Sequence, residues 1–154
     1  MNAEKIKAMK PALPVIDVKT LLSHLDNSSL GLVEKATRFC VQQCHSEISV
    51  EHVLLQMLDD SANPLNQLLQ KQGVDPLSWI RHLLTSCQRY RLDRPAKPLF
   101  SDHLLDWFSS AVDTAGDESD KVQPADLLAS LLKNPSIYRS TGLNDLQQIS
   151  VAGR

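Results

Sequence analysis

A chain of 154 residues, 42% hydrophobic and 22% charged, has the composition of a globular domain that can bury a core without staples. Its 16 basic and 18 acidic residues leave a net charge of −2, which argues against a nucleic-acid binder and against a protein that docks on membrane surfaces. Three cysteines at irregular spacing make no disulfide framework and point to a reducing compartment, the cytoplasm.

Leucine occurs 25 times, against 16 for valine and isoleucine together, a balance that favours helix over strand. Apolar spacing agrees from end to end. A Lys-rich start (Lys5, Lys7, Lys10) reads as a mobile tail over 1–14. Val15, Val18, Leu22 and Leu25 then mark a first helical stripe. A second runs through Leu32, Ala36, Phe39, Cys40 and Val41, and a third through Val53, Leu54, Met57 and Leu58. Leu65, Leu68 and Leu69 mark a fourth, and Leu77, Ile80 and Leu84 a fifth. Asn63-Pro64, Asp75-Pro76 and Gln123-Pro124 each set a polar cap before a proline at the first helical position. Ser49 and Ser101 are further cap candidates, and Gly73 and Gly142 stand where helices should stop. No alternating strand pattern is evident, so the fold class is all-α with about eight helices.

The sequence also repeats itself. Shifted by 74 residues, Leu25 falls on Leu99, Val33 on Trp107, Ile48-Ser49 on Val122-Gln123 and Leu54 on Leu128. After a shorter loop Gly73 falls on Gly142. The expected organisation is a first helical repeat with an extra N-terminal helix over 15–85, a linker over 86–98 and a second repeat over 99–150. Together they form one compact domain of two four-helix units related by a pseudo-twofold axis.

Five dispersed glycines give no phosphate cradle, and no H-E-x-x-H, G-x-S-x-G or C-x-x-C occurs. No catalytic residue is assigned. Cys40, Cys44, His45 and His52 invite a zinc reading, but a second complete ligand pair is missing, so no metal site is assigned. Ser28-Ser29 and Ser109-Ser110 read as caps and helix surface, and Trp79 and Trp107 as core.

The segment E-I-S-V-E-H-V-L-L-Q-M-L (Glu47 to Leu58) in a repeated four-helix unit, with Gly73-Val74-Asp75-Pro76 beyond it, resembles the amino-terminal domain of the Clp family of AAA+ ATPases. Within that family the look is nearest to the ClpV branch of type VI secretion. The features are the extra helix over Pro14 to Leu25, Cys40 after Ala36, and Pro98-Leu99-Phe100-Ser101 followed by Leu104 and Trp107. The resemblance implies a recruiting domain that is not itself an enzyme and binds no cofactor. ATP and magnesium then belong to AAA+ rings beyond Arg154, which form a homohexamer, while the present fragment is expected to be a monomer. The implied partner is a short amphipathic helix of the larger sheath subunit. The alternative is a Clp N-terminal domain that binds adaptors or unfolded proteins.

A partner helix needs an apolar groove. Val15, Val18, Leu21, Leu22 and Leu25 are too many apolar residues for one narrow stripe, so some should face away from the core. Phe100 is expected as the groove floor, a role the resemblance also implies, with Leu104 alongside.

Overall fold

The computed structural model describes residues 18–115, 121–139 and 141. Among them are eight helices: α1 (Val18–Ser23), α2 (Asn27–Gln43), α3 (Val50–Asp59), α4 (Pro64–Lys71), α5 (Pro76–Cys87), α6 (Asp102–Ala115), α7 (Pro124–Lys133) and α8 (Pro135–Arg139). The architecture is all-α. The expected tail over 1–14, Val15, and the final helix expected after Gly142 lie outside the described residues.

The caps act as their chemistry requires. Asn63 and Asp75 accept from the backbone N–H groups of Leu65 and Leu77, each at 3.0 Å. Asp26 caps α2 by accepting from Ser29 N–H at 2.8 Å. α2 ends on Cys44 in the left-handed region (φ 59°), where its N–H reaches the carbonyl of Val41. Both α3 and α7 open with a capping box, Ser49 with His52 and Gln123 with Asp126. These two boxes are 74 residues apart, in register with the sequence repeat.

Two short strands form where none was expected. β1 (Glu47–Ile48) and β2 (Leu99–Phe100) pair in parallel, Glu47 opposite Leu99 and Ile48 opposite Phe100. An isolated parallel bridge joins Leu25 to Val122. The two pairings are near images under the repeat. In each, the residues leading into one unit bond to the segment just before α3 or α7 of the other: Ser101 N–H to Ile48 O, and Asp26 N–H to Val122 O, both 2.9 Å. A two-residue strand carries too little alternation to be seen in sequence. Its stability comes from the packed helices around it.

The core is continuous through both units. Leu54, Met57, Leu65, Leu69, Leu83, Leu104, Trp107, Phe108, Leu127 and Leu131 are all fully buried. Trp107 also donates its indole N–H to Leu127 O at 2.8 Å, so its polar atom is satisfied inside the core. The α5 stripe differs from expectation. Leu77 and Leu84 are exposed, whereas Trp79, Leu83 and Cys87, at i, i+4 and i+8, face inward. Val41 on α2 is likewise exposed. Both helices carry apolar residues on more than one face, and the neighbours decide which face is covered.

Nor is the segment after residue 85 a loose connector. α5 continues to Cys87 and a short 3₁₀ turn follows over Gln88–Tyr90. Tyr90 O accepts from Ser46 N–H at 2.8 Å, and Leu92 N–H donates to Cys44 O at 2.8 Å. Arg89 pairs with Glu51, a carboxylate that is 1% exposed and also accepts from Ser86 Oγ at 2.8 Å. The buried carboxylate thus has two donors, which burial of a charge demands.

Candidate functional site

The six-residue α1 packs against α6, and β2 leads directly into α6 through the buried cap residue Ser101. Along this junction the expected groove residues divide into two sets. Leu21 is 6% exposed, Leu25 2% and Leu104 0%, so these three belong to the core and do not line a groove. The reason is local. Leu21 is the buried residue of a short helix, Leu25 is held by its bridge to Val122, and Leu104 sits in the first turn of α6 against the core. Val18, Leu22 and Phe100 are half-buried, and Leu22 and Phe100 also pack on the core. Val15 is outside the described residues.

Two residues that the sequence did not place in the groove also present apolar side chains on these elements. Leu99 is 69% exposed beside Phe100, and Leu105 is half-buried on α6. A single exposed aliphatic is ordinary, as Val41, Leu77 and Leu84 show; Leu99 is a candidate because half-buried Phe100 follows it directly. The signal was present as Leu99 falling on Leu25 in the repeat, but Leu25 is buried and gave no hint of its partner's exposure. Exposed charges accompany this surface: Lys19 on α1, Lys97 before β2, and Asp102 and Asp106 on α6.

A concavity of about 530 Å³ lies elsewhere, between the C-terminal end of α2 and the following connector, lined by Gln43, Cys44, Arg91 and Arg94 among others. Its walls are mainly polar, which does not suit an amphipathic helix.

Beneath β1 lies a buried polar cluster. Cys40, His45 and His52 bring possible ligand atoms within 4.8 Å of one another, all three residues buried. Cys44, considered with them in the sequence, is not part of the group. Their geometry is that of a hydrogen-bond chain. Ser49 N–H donates to His52 Nδ1 at 3.0 Å, so that nitrogen carries the lone pair and Nε2 carries the hydrogen. His52 Nε2 then donates to His45 Nδ1 at 2.8 Å. Two nitrogens on one tetrahedral zinc at ~2.0–2.1 Å each would stand roughly 3.3 Å apart, each presenting a lone pair. Here they are closer and share a hydrogen.

Electrostatics agree with this arrangement. Burial, and then the neighbouring His45, push His52 down to about 3. Burial and the Arg91 charge also lower His45. Burial pushes the Cys40 thiol up to about 12, so it stays protonated and donates weakly to Glu47 O at 3.4 Å. Phe39 lies against both imidazoles, with ring centroids 5.8 Å from each.

Comparison with known proteins gives the same picture of the fold. The N-domain of ClpV from Vibrio cholerae superposes with a TM-score of 0.68 at 19% identity, covering 84% of this chain and 79% of that one. A complex of a ClpV N-domain with a VipB peptide gives 0.64 at 18% identity, covering 82% and 79%. The Hsp104 N-terminal domain from Candida albicans gives 0.66 at 16%, covering 82% and 87%. No curated protein sequence matches the chain. The Clp repeat (R) N-terminal domain family matches residues 25–145, both repeats included. The chain therefore belongs to the Clp repeat N-terminal domain family.

Proposed function

We propose that this chain is the substrate-recognition domain of a ClpV-like AAA+ ATPase. It binds a short amphipathic helix of the larger type VI sheath subunit, so that the contracted sheath is disassembled and recycled. The observation that carries the reading is the half-buried apolar surface of Val18, Leu22 and Phe100, extended by the open Leu99. The solved complex of a similar ClpV N-domain with a VipB peptide supports it. ATP hydrolysis, magnesium binding and hexamer formation belong to the parent's rings, and the domain itself recruits without catalysis. The site of action is the cytoplasm. Among the described residues no helix is long and apolar enough to cross a membrane.

The mechanism follows from the surface. A visiting helix presents apolar anchors at i, i+3, i+4 and i+7, and these cover Leu22, Phe100 and Leu99. The area is small, under about 1,200 Å² in total, which suits rapid exchange between many sheath subunits. The likeness to the Hsp104 N-terminal domain favours a second reading, recruitment of adaptors or unfolded chains through the same surface.

Titration of an amphipathic peptide from the sheath subunit tests the first reading. Phe100→Arg places an unpaired charge in the apolar surface and should abolish binding while helix content stays unchanged by circular dichroism. Equal affinity for this variant and the parent would overturn the groove. Preference for unfolded protein over the sheath peptide would select the second reading.

A further inference from the structure

We propose that His52 is a positioning residue for the binding surface: through the Ser49 cap it holds β1, and through β1 it sets where Phe100 stands. The proposal takes the surface of the preceding section as the binding site, and its first readout does not depend on that assignment.

The path is short and runs through hydrogen bonds and one peptide link. His45 Nδ1 accepts from His52 Nε2 at 2.8 Å, and His52 Nδ1 accepts from Ser49 N–H at 3.0 Å. Ser49 directly follows Ile48, which lies opposite Phe100 in the β1–β2 pair. Ile48 O accepts from Ser101 N–H at 2.9 Å, and Ser46 O from Leu99 N–H at 3.1 Å. Phe100 is therefore bracketed by two bonds, one to β1 and one to Ser46 just before that strand. β1 is also tied at Ser46 to Tyr90 and at Glu47 O by the weak Cys40 bond, while on its far side the His52 cap acts together with the first backbone bonds of α3 to Ser49 O.

Only the neutral pair can do this. Two ring nitrogens face each other across one hydrogen. A proton added at His52 Nδ1 sets a donor against the Ser49 N–H, and one added at His45 Nδ1 sets two N–H groups face to face. Ser49 Oγ, 2.8 Å from His52 Nδ1, could accept from an added proton there, but the surroundings offer no counter-charge. Cys40 from α2 is a neutral thiol, Arg91 is cationic, and Tyr90 faces the His52 ring at 5.7 Å. Glu51, the nearby carboxylate on α3, is already committed to Arg89 and Ser86. His45 Nε2, the outer end of the chain, is buried with no hydrogen-bond partner. An added charge would thus find no counter-ion, and β1 would be released from its cap as the pH falls.

Amide hydrogen exchange on the intact chain tests this first. Protection factors are compared for Leu99 and Ser101, the β1–β2 donors, and for Leu127 and Leu131 in α7. In His52→Ala the first two should lose about tenfold in protection while the α7 amides change less than about twofold. In His52→Gln, whose side-chain oxygen can rebuild the capping box, protection should return to within about twofold of the parent. Lowering the pH from 7.5 to 5.5 should loosen Leu99 and Ser101 in the parent and not in His52→Gln. Equal loss at all four amides, or none at Leu99 and Ser101, would overturn the proposal, leaving His52 a structural residue only. Peptide titration on the same proteins is the second readout: affinity should fall in His52→Ala, about tenfold, and recover in His52→Gln. A peptide that binds none of the proteins, with the exchange pattern as expected, would sink the assigned surface and leave the positioning role standing.

Discussion

The two repeats place different chemistry at the same point. In the second, Asp126 accepts from Gln123 N–H at 2.9 Å at the opening of α7 and remains half-exposed. In the first, His52 accepts from Ser49 N–H at 3.0 Å and is 0% exposed. Both serve the same orphan donor of a helix N-terminus. A carboxylate does so well where water reaches its second oxygen and the helix dipole favours negative charge. A buried carboxylate would carry a full charge into the core beside the apolar Phe39 ring, which offers it no donor. A neutral imidazole accepts with one nitrogen and donates with the other, so it satisfies the cap without carrying charge into the core. The comparison teaches that an internal repeat preserves a geometric role while burial chooses the residue that performs it.

The largest effect should come from core positions that the repeat relates but that differ in size. Trp107 occupies the place of Val33, and both are buried. Trp107→Ala removes a large side chain and its bond to Leu127, and should cost about 3–5 kcal/mol by denaturant unfolding. Val33→Ala should cost clearly less. Equal costs would mean that the second unit relaxes around the cavity and the two cores are not comparably packed.

Acid should separate the caps next. His52 has its pKa lowered from 6.5 to about 3 in the fold. The unfolded chain therefore binds the proton first. The stabilisation is fully present above pH 6.5 and is withdrawn as the pH falls from 6.5 towards 3. Between pH 6.5 and 5 the loss is on the order of 2 kcal/mol. Thermal unfolding of the parent and His52→Gln across that range checks it, and the variant should show a flatter profile.

Smaller still is the exposed member of the pair. Asp126→Ala should cost less than about 1 kcal/mol, because water replaces the lost acceptor. A cost as large as that of His52→Ala would contradict the contrast in burial. At the bottom of the scale, Leu99→Ser should leave stability within about 0.5 kcal/mol while weakening peptide binding, since the side chain is 69% exposed. Its repeat counterpart, Leu25→Ser, should do the reverse and destabilise the fold, because Leu25 is buried.

The sequence by itself determined the helices, most of their starts, and the repeat. Caps at Asn63, Asp75 and Gln123 were legible because a cap bonds to an N–H only two or three residues away, so the evidence is local. The family was legible for the same reason, in one contiguous segment from Glu47 to Leu58. Which side of α5 faces inward was not legible, because Leu77, Ile80 and Leu84 make as good a stripe as Trp79, Leu83 and Cys87 until α3 and α4 are in place. The exchanged pairings, β1 with β2 and Leu25 with Val122, join residues far apart in the chain and leave no periodicity. They also decide which residues of the proposed binding surface stand open. Leu25 and Leu99 are equivalent in sequence, yet one is closed into the core and the other stands open. Apolar character is a property of the residue, whereas exposure is a property of what packs against it.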